Sequence, residues 1–243
     1  TTPPVIDIKN ESLDLSNKKR SVSVSSVDSG SGVKYSRYTV TSSTAKPSSG
    51  AGWITNYNSN FTFEVSGTGT WYVHVESIDN VGNLSYVRVG PFAVDMDAPI
   101  ITANPINRDW GYVDASVRIT VVDTYSALKE VRYSLTKSID RVYTGWQYSN
   151  KSSLNDVVIS ETGVWYLHVE AEDESGNVSY TYFGPYKIDK VKPDMNMGYV
   201  SGARYIVGNN HYVKQGDSVT YWLEAKDEPS GIVLTYALAR DNI

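Results

Sequence analysis

The chain has 243 residues, a formal net charge of −5 at pH 7 and no cysteine, a length that allows two domains and part of a third. The lack of cysteine excludes thiol catalysis, cysteine-ligated zinc and a disulfide scaffold, and the acidic balance argues against a nucleic-acid partner. No run of about 20 apolar residues occurs in the sequence, so it predicts no membrane-spanning helix in this segment.

The predicted elements, in chain order, are short β-strands separated by turn-forming residues. Period-two alternation of apolar and polar residues, rich in valine and aromatic residues, is typical of half-buried strands, and no stretch shows a helical stripe. The predicted strands B, C, F and G are 22–27, 34–41, 71–77 and 85–94, then 117–122, 130–136, 165–172 and 179–188. The same alternation returns at Val219, Tyr221 and Leu223.

An internal repeat divides the chain. The segment Gly69–Glu76 returns 94 residues later as Gly163–Glu170, and Asp79–Tyr86 returns at the same offset as Asp173–Tyr180. A third copy begins after Pro193, so we expect either that the chain is a fragment of a longer array or that the third module closes in a different way from the first two. The predicted units are module 1 (residues 1–96), module 2 (97–191) and a partial or atypical third module (192–243).

About seven short strands per module, joined by short loops, predict an all-β fold of tandem immunoglobulin-like sandwiches arranged end to end, with antiparallel strand pairs throughout. Trp71 and Trp165 each lie two residues after a glycine, at the start of strand F. They share the parity of the inward-facing valines, so we expect them to anchor the two cores.

The two modules resemble the immunoglobulin-like repeats of bacterial surface proteins, especially Gram-positive ones. The resemblance rests on Asp-x-x-Ser-Gly before a tyrosine-bearing strand, on Gly-x-Trp-Tyr-x-His-Val before Asp-x-x-Gly-Asn-x-Ser, and on Gly-Pro-Tyr-x-Ile-Asp before a proline-bearing linker. Module 1 departs from this pattern with Phe92 in place of the tyrosine of Gly-Pro-Tyr. Module 2 departs from it with Ala127 in place of the glycine of Asp-x-x-Ser-Gly. The resemblance implies a secreted or cell-surface location and a role as a stalk or spacer in adhesins, S-layer-type proteins or large secreted enzymes.

A catalytic role is not predicted. His74 and His168 occupy the same position in different modules, so they cannot share one site within a sandwich. The sequence has no nucleophile elbow, phosphate-binding loop or zinc-binding His-Glu-x-x-His helix. We therefore expect a non-enzymatic protein that requires no cofactor.

Carboxylates near the predicted module junctions form a candidate calcium site. In this fold the linker arrives beside the B–C and F–G loops of the following module, and Ca²⁺ binds six to eight hard oxygen ligands. The alternative is that each aspartate caps its own turn without an ion. The candidate ligands are Asp95, Asp97, Asp123, Asp173, Asp189 and Asp227.

Aromatic and histidine side chains form a candidate ligand face on the outer side of strand F and on the loop after strand C. Aromatic platforms with polar neighbours suit sugar rings. The alternative is that they are cross-strand pairs supporting the sheet. The candidate residues are Tyr72, His74, Tyr166, His168, Trp53 and Trp146.

Together these features predict a non-catalytic structural or adhesive segment that acts as a semi-rigid stalk, spacer or lattice element. Its partners would be other domains of the same chain and a cell-wall or host glycan or protein. Proline in each linker, Pro99 and Pro193, restricts the backbone and favours a stiff connection. The alternative function is a carbohydrate-binding accessory segment of a secreted polysaccharide-active enzyme.

Overall fold

The computed structural model describes residues 2–10, 13–149, 153–202, 205–207, 210–212 and 218–236. Every regular element in these ranges is a β-strand. None of these residues lies in a helix that is long and apolar enough to cross a membrane.

Module 1 contains seven strands in two sheets. One sheet has the order β1-β2-β5 and the other β4-β3-β6-β7, with antiparallel pairing between neighbours. The strands are β1 (Val5–Asn10), β2 (Arg20–Val27), β3 (Val33–Thr41), β4 (Ile54–Asn56), β5 (Asn60–Val65), β6 (Gly69–Asp79) and β7 (Leu84–Val94). The predicted strands B, C, F and G correspond to β2, β3, β6 and β7.

Module 2 repeats this plan with one additional strand. Its sheets have the orders β13-β10-β8 and β12-β11-β14-β15-β9. The strands are β8 (Ile100–Asn104), β9 (Arg108–Gly111), β10 (Ala115–Val122), β11 (Leu128–Thr136), β12 (Gln147–Ser149), β13 (Ser153–Ile159), β14 (Gly163–Asp173) and β15 (Val178–Ile188).

The prediction of purely antiparallel pairing is wrong in one respect. Strand β9 runs parallel to β15, and in module 1 an isolated parallel bridge joins Ser16 to Val94 at the corresponding place. The segment between the first two antiparallel strands thus crosses to the second sheet and covers its edge. Covering an edge in this way reduces the unpaired backbone available to other chains.

The cores lie between the two sheets of each module. Strand β10 alternates strictly, with Val117 and Ile119 fully buried and Ser116 and Arg118 exposed. The buried clusters combine residues of both sheets, as face-to-face packing of sandwiches requires. Each module therefore forms a β-sandwich with its own core.

The core-anchor prediction for the tryptophans is only partly correct. Trp71 and Trp165 pack against the cores but remain partly exposed, and their indole nitrogens donate to the carbonyl oxygens of Gly67 and Glu161, at 2.8 and 2.9 Å. The largest fully buried side chains are instead Phe92 and Tyr186, on the last strand of each module.

A glycine interrupts the register between strands F and G in both modules. In module 1, pairing shifts between Trp71 and Val73, opposite Gly90. Gly90 has φ +129°, and a Cβ there would lie 2.8 Å from the carbonyl oxygen of Trp71. The bulge therefore requires glycine, since any side chain would meet backbone.

The remaining described strands follow module 2. Strands β16 (Asp194–Ser201) and β19 (Thr220–Lys226) form an antiparallel pair, and β17 (Tyr205–Val207) and β18 (Asn210–Tyr212) form a second pair. The pair β16–β19 occupies the position in the repeat that β8–β10 has in module 2.

Candidate functional site

The candidate site begins with Asp95, the residue that follows strand β7. Its backbone N–H donates to the carbonyl oxygen of Ser16 at 2.9 Å, which continues the parallel bridge between Ser16 and Val94. The residue is fully buried. The end of module 1 therefore holds this carboxylate in place before the linker starts.

The F–G hairpin of module 2 faces Asp95. One carboxylate oxygen of Asp173, Oδ1, accepts from the backbone N–H of Asn177 at 2.8 Å, and Oδ2 accepts from its side-chain amide, also at 2.8 Å. Gly176 has φ +88°, which lets the chain turn back tightly. The repeated Asp-x-x-Gly-Asn pattern is thus a self-closed turn that fixes Asp173.

Two residues of this hairpin bind Asp95 directly. The side-chain amide of Asn177 donates to the carbonyl oxygen of Asp95 at 3.0 Å, and the hydroxyl of Ser175 donates to Asp95 Oδ2 at 3.0 Å. A further hydrogen bond across the same junction joins the hydroxyls of Thr70 and Tyr125 at 2.7 Å. The two modules are therefore connected by side-chain bonds as well as by the linker.

Asp123 supplies the third carboxylate, from the turn after strand β10. Its Oδ1 accepts from the backbone N–H groups of Tyr125 and Ser126, at 2.9 and 2.8 Å. Carboxylate oxygens of Asp95, Asp123 and Asp173 all lie within 4.8 Å of one another. Each aspartate caps a turn, as the alternative interpretation expects, and the three also converge on one point.

In the part of the chain that the structure describes, no salt bridge balances the charge on this cluster. Among the described residues, no salt bridge involves Asp95, Asp123 or Asp173. Two like charges about 4 Å apart repel by roughly 4 kcal/mol at an effective dielectric constant of 20. Three converging oxygens from a linker and two loops form a donor set that fits a hard divalent cation such as Ca²⁺.

The remaining predicted junction residues lie elsewhere. Asp97 is exposed, and its backbone N–H donates to Asp95 Oδ1 at 3.3 Å. At the second junction, Ser230 bridges the two aspartates: its N–H donates to Asp189 Oδ2 and its hydroxyl to Asp227 Oδ2, both at 3.3 Å. Hydrogen bonds from Ser230 and from the Val191 N–H outweigh burial and lower the pKa of Asp189.

The two histidines of the predicted ligand face are covered by the chain itself. His74 and His168 point to the outer side of strand F, as predicted, but both are fully buried. Nδ1 of His74 lies 2.7 Å from the hydroxyl of Tyr86, and Nε2 lies 3.1 Å from the carbonyl oxygen of Ser43 in the loop after strand C. The loop therefore removes this histidine from contact with a ligand. His168 has the corresponding contacts with Tyr180 and Ser138, at 2.7 and 2.9 Å.

A buried ion pair lies beside each histidine. Glu76 binds Arg37 at 2.6 Å and Lys46 at 2.7 Å, and the Arg37 guanidinium lies 4.7 Å from the ring centre of Trp53. Burial by itself would raise the pKa of Glu76, but hydrogen bonds and charge from Lys46 and Arg37 outweigh it and lower that pKa. In module 2, Glu170 binds Arg132 and Arg141, and Arg132 lies beneath Trp146.

These contacts favour the structural interpretation of the aromatic residues. Trp53 and Trp146 are partly buried over an arginine, and Tyr72 and Tyr166 are partly buried on the same strands as the histidines. The sequence prediction missed the loop that covers the two histidines, because the conformation of the loop after strand C does not follow from strand periodicity. It also missed Ser175 and Asn177, although the repeated Asp-x-x-Gly-Asn motif marked their hairpin.

Comparison with known proteins gives a distant structural likeness. No protein-family model and no curated protein matches the chain. Among solved structures, the chain is similar to the fibronectin(III)-like modules of Clostridium thermocellum CbhA. That structure is 13% identical, the TM-score is 0.31, and the match covers 76% of this chain and 97% of that one.

Proposed function

We propose that this chain is a non-catalytic structural segment of a bacterial surface or secreted protein, a stalk or spacer in which successive β-sandwiches are held end to end. The observation that supports this role most directly is the binding of Asp95, the residue after the last strand of module 1, into the F–G hairpin of module 2. Its partners would be other domains of the same protein and a glycan or protein of the cell wall or host.

The linker has little freedom to act as a hinge. At its start, Asp95 is bonded to Ser175 and Asn177, and at its end the carbonyl oxygen of Pro99 accepts from the hydroxyl of Ser179 at 2.5 Å. Pro99 is also buried. A linker tied to module 2 at both ends, with φ of its proline fixed, favours a rigid connection over a flexible one.

Small-angle X-ray scattering of the full chain tests this role. We expect the wild-type protein to give a narrow distance distribution with a long maximum dimension. The double variant Asp95→Ala, Asn177→Ala should give a broader distribution with more compact conformers at unchanged strand content. A wild-type distribution already as broad as that of the variant would contradict the stalk role.

We further propose that Ca²⁺ binds between Asp95, Asp123 and Asp173 and strengthens this junction. The ion would neutralise three convergent carboxylates, one contributed by the end of module 1 and two by loops of module 2. Isothermal titration with CaCl₂ should show one site that Asp123→Asn weakens, since the amide keeps a turn acceptor but loses the charge. The matched variant Asp28→Asn, in the corresponding turn of module 1, should leave binding unchanged. If EDTA changes neither the melting temperature nor the scattering profile, this calcium proposal fails.

The carbohydrate-binding alternative makes a different prediction. Several tyrosines are well exposed, including Tyr57, Tyr143 and Tyr148. An accessory sugar-binding segment would bind polysaccharide through such residues, and replacing Tyr148 by alanine would weaken that binding. A glycan array probed with the full chain, with no binding above a control protein, would argue against this alternative and leave the stalk role unaffected.

A further inference from the structure

We propose that one face of the strand pair β16–β19 is a docking surface for a strand F–strand G hairpin of the same repeat type. This surface consists of Met195 and Met197 on β16 and Leu223 on β19. All three side chains are well exposed, with exposed fractions of 64%, 67% and 42%. Contiguous apolar side chains at these exposures are typical of a surface that binds a partner.

The pairing register identifies this surface as the inner face of a sandwich. In module 2, Ile119 pairs with Ala103, and Val121 pairs with Ile101. Counting back from the aspartate after each strand, Asp123 or Asp227, Leu223 corresponds to Ile119 and Ala225 to Val121. Leu223 pairs with Met197, and Ala225 pairs with Met195. The positions that face inward in module 2 are therefore occupied here by apolar residues, of which Met195, Met197 and Leu223 are exposed.

The first two modules show what covers such a face. In module 2, Ile119 belongs to one buried cluster with Leu167 and Val169 of strand β14 and with Tyr186 and Ile188 of strand β15. In module 1, Val22 and Val24 of strand β2 are buried in the same way against strands F and G. In both modules, apolar residues of strands F and G therefore cover the face that corresponds to the proposed docking surface.

The opposite face of the pair has a different character. Trp222 points away from the docking surface, and its ring lies over Gly198 of the neighbouring strand. It has an exposed fraction of 46%, close to that of Leu223. Substitution of Trp222 is therefore a matched control that distinguishes specific docking on the proposed surface from nonspecific hydrophobic binding.

Strands F and G of modules 1 and 2 indicate which sequence features the hairpin bound by this surface would have. It would be a two-stranded hairpin carrying Gly-x-Trp-Tyr-x-His-Val on one strand and an aromatic residue after Gly-Pro on the other. Sheet faces of this kind pack about 10 Å apart, with inner side chains interdigitating. The surface would bind such a hairpin whether or not the chain acts as a stalk.

Binding of a labelled peptide to the 243-residue chain tests the proposal. The probe is a fluorescein-labelled peptide with the sequence of residues 163–188, and the readout is fluorescence anisotropy. We expect saturable binding to the wild-type chain, retained within about threefold by Trp222→Ser and weakened at least tenfold by Leu223→Asp. A second variant, Met197→Asp on the other strand, should weaken binding to the same degree. A peptide with aspartate at the positions of Leu167 and Val169 should not bind.

Three outcomes would overturn the proposal. The first is an absence of saturable binding to the wild-type chain. The second is equal loss of binding in Trp222→Ser and Leu223→Asp. The third is a chain dimer, seen by light scattering, that Leu223→Asp dissociates and Trp222→Ser does not, because a second copy would then be the occupant.

Discussion

Asn177 donates a hydrogen bond from its side-chain amide to the backbone carbonyl oxygen of Asp95, 82 residues earlier in the chain, at 3.0 Å. The same amide closes the hairpin of module 2 through Asp173. One side chain therefore both stabilises a turn and joins two modules, so that the shape of the hairpin and the geometry of the junction depend on each other.

Replacing Asn177 by alanine should affect both the module and the junction. The variant loses the bonds to Asp173 and Asp95, and unpaired buried acceptors cost about 1–3 kcal/mol each. We expect a lower free energy of unfolding for module 2 in urea and a broader distance distribution in solution. The matched variant Asn83→Ala should destabilise module 1 without broadening the connection to module 2. Identical scattering profiles for Asn177→Ala and Asn83→Ala would contradict this prediction.

The buried ion pair of Glu76 predicts a dependence of stability on pH. Since the pKa of Glu76 in the folded chain lies below its ordinary value of 4.5, the unfolded chain binds the proton first as pH falls. Its stabilisation is complete above pH 4.5 and is lost as pH drops through the lowered pKa. We expect Glu76→Gln to lower the free energy of unfolding by about 1.5–3 kcal/mol near pH 7. In the variant, the free energy of unfolding should also fall less steeply as the pH drops below 4.5. If urea unfolding gave the same difference in unfolding free energy between the variant and the wild type at every pH, the prediction would be contradicted.

The buried histidine of module 1, His74, should become protonated only at a pH below its ordinary pKa of 6.5. Burial lowers the pKa of His74 below 6.5, and the charge of Arg88 adds to this, against the hydrogen bond to Ser43. The stability due to the neutral imidazole is complete above pH 6.5 and declines as pH falls toward the lowered pKa. An NMR titration of the imidazole should show a midpoint below 6.5, and a midpoint at or above that value would refute the prediction. Tyr86→Phe removes the partner of Nδ1 and should cost about 1 kcal/mol of stability.

The glycine of the F–G bulge should tolerate no side chain. In Gly90→Ala the new Cβ would meet the carbonyl oxygen of Trp71 at 2.8 Å, in addition to the strain of a positive φ. Gly82→Ala carries only the strain, because φ is +96° and a Cβ there meets nothing within 4 Å. Thermal unfolding should show a loss of about 1 kcal/mol for Gly82→Ala and clearly more for Gly90→Ala. Equal losses would mean that the close approach at the bulge is unimportant.

Strand periodicity predicted the strands well because it reports burial directly. Val117 and Ile119 alternate with exposed residues, so β10 could be placed from its pattern alone. Asp95, Asp123 and Asp173 were named from the order of loops in a sandwich, and the structure brings these three together. Calcium binding itself stays a prediction.

The failures share a physical cause. The cover over His74 depends on a loop whose backbone has no periodicity, so burial on the outer face was invisible in the sequence. The parallel strand β9 depends on a chain crossing that a local pattern does not encode. The core position of Phe92 follows from the bulge at Gly90, which shifts the register of the strand around it.

The short linker between Asp95 and Pro99 has a mechanical consequence. A pulling force along the chain would leave module 1 at Asp95 and enter module 2 at Pro99, and both residues are already bonded to module 2. The tension would therefore reach the hairpin and strand β15 before the linker could extend. A sawtooth trace in single-molecule stretching would then lack the low-force slack of a free tether.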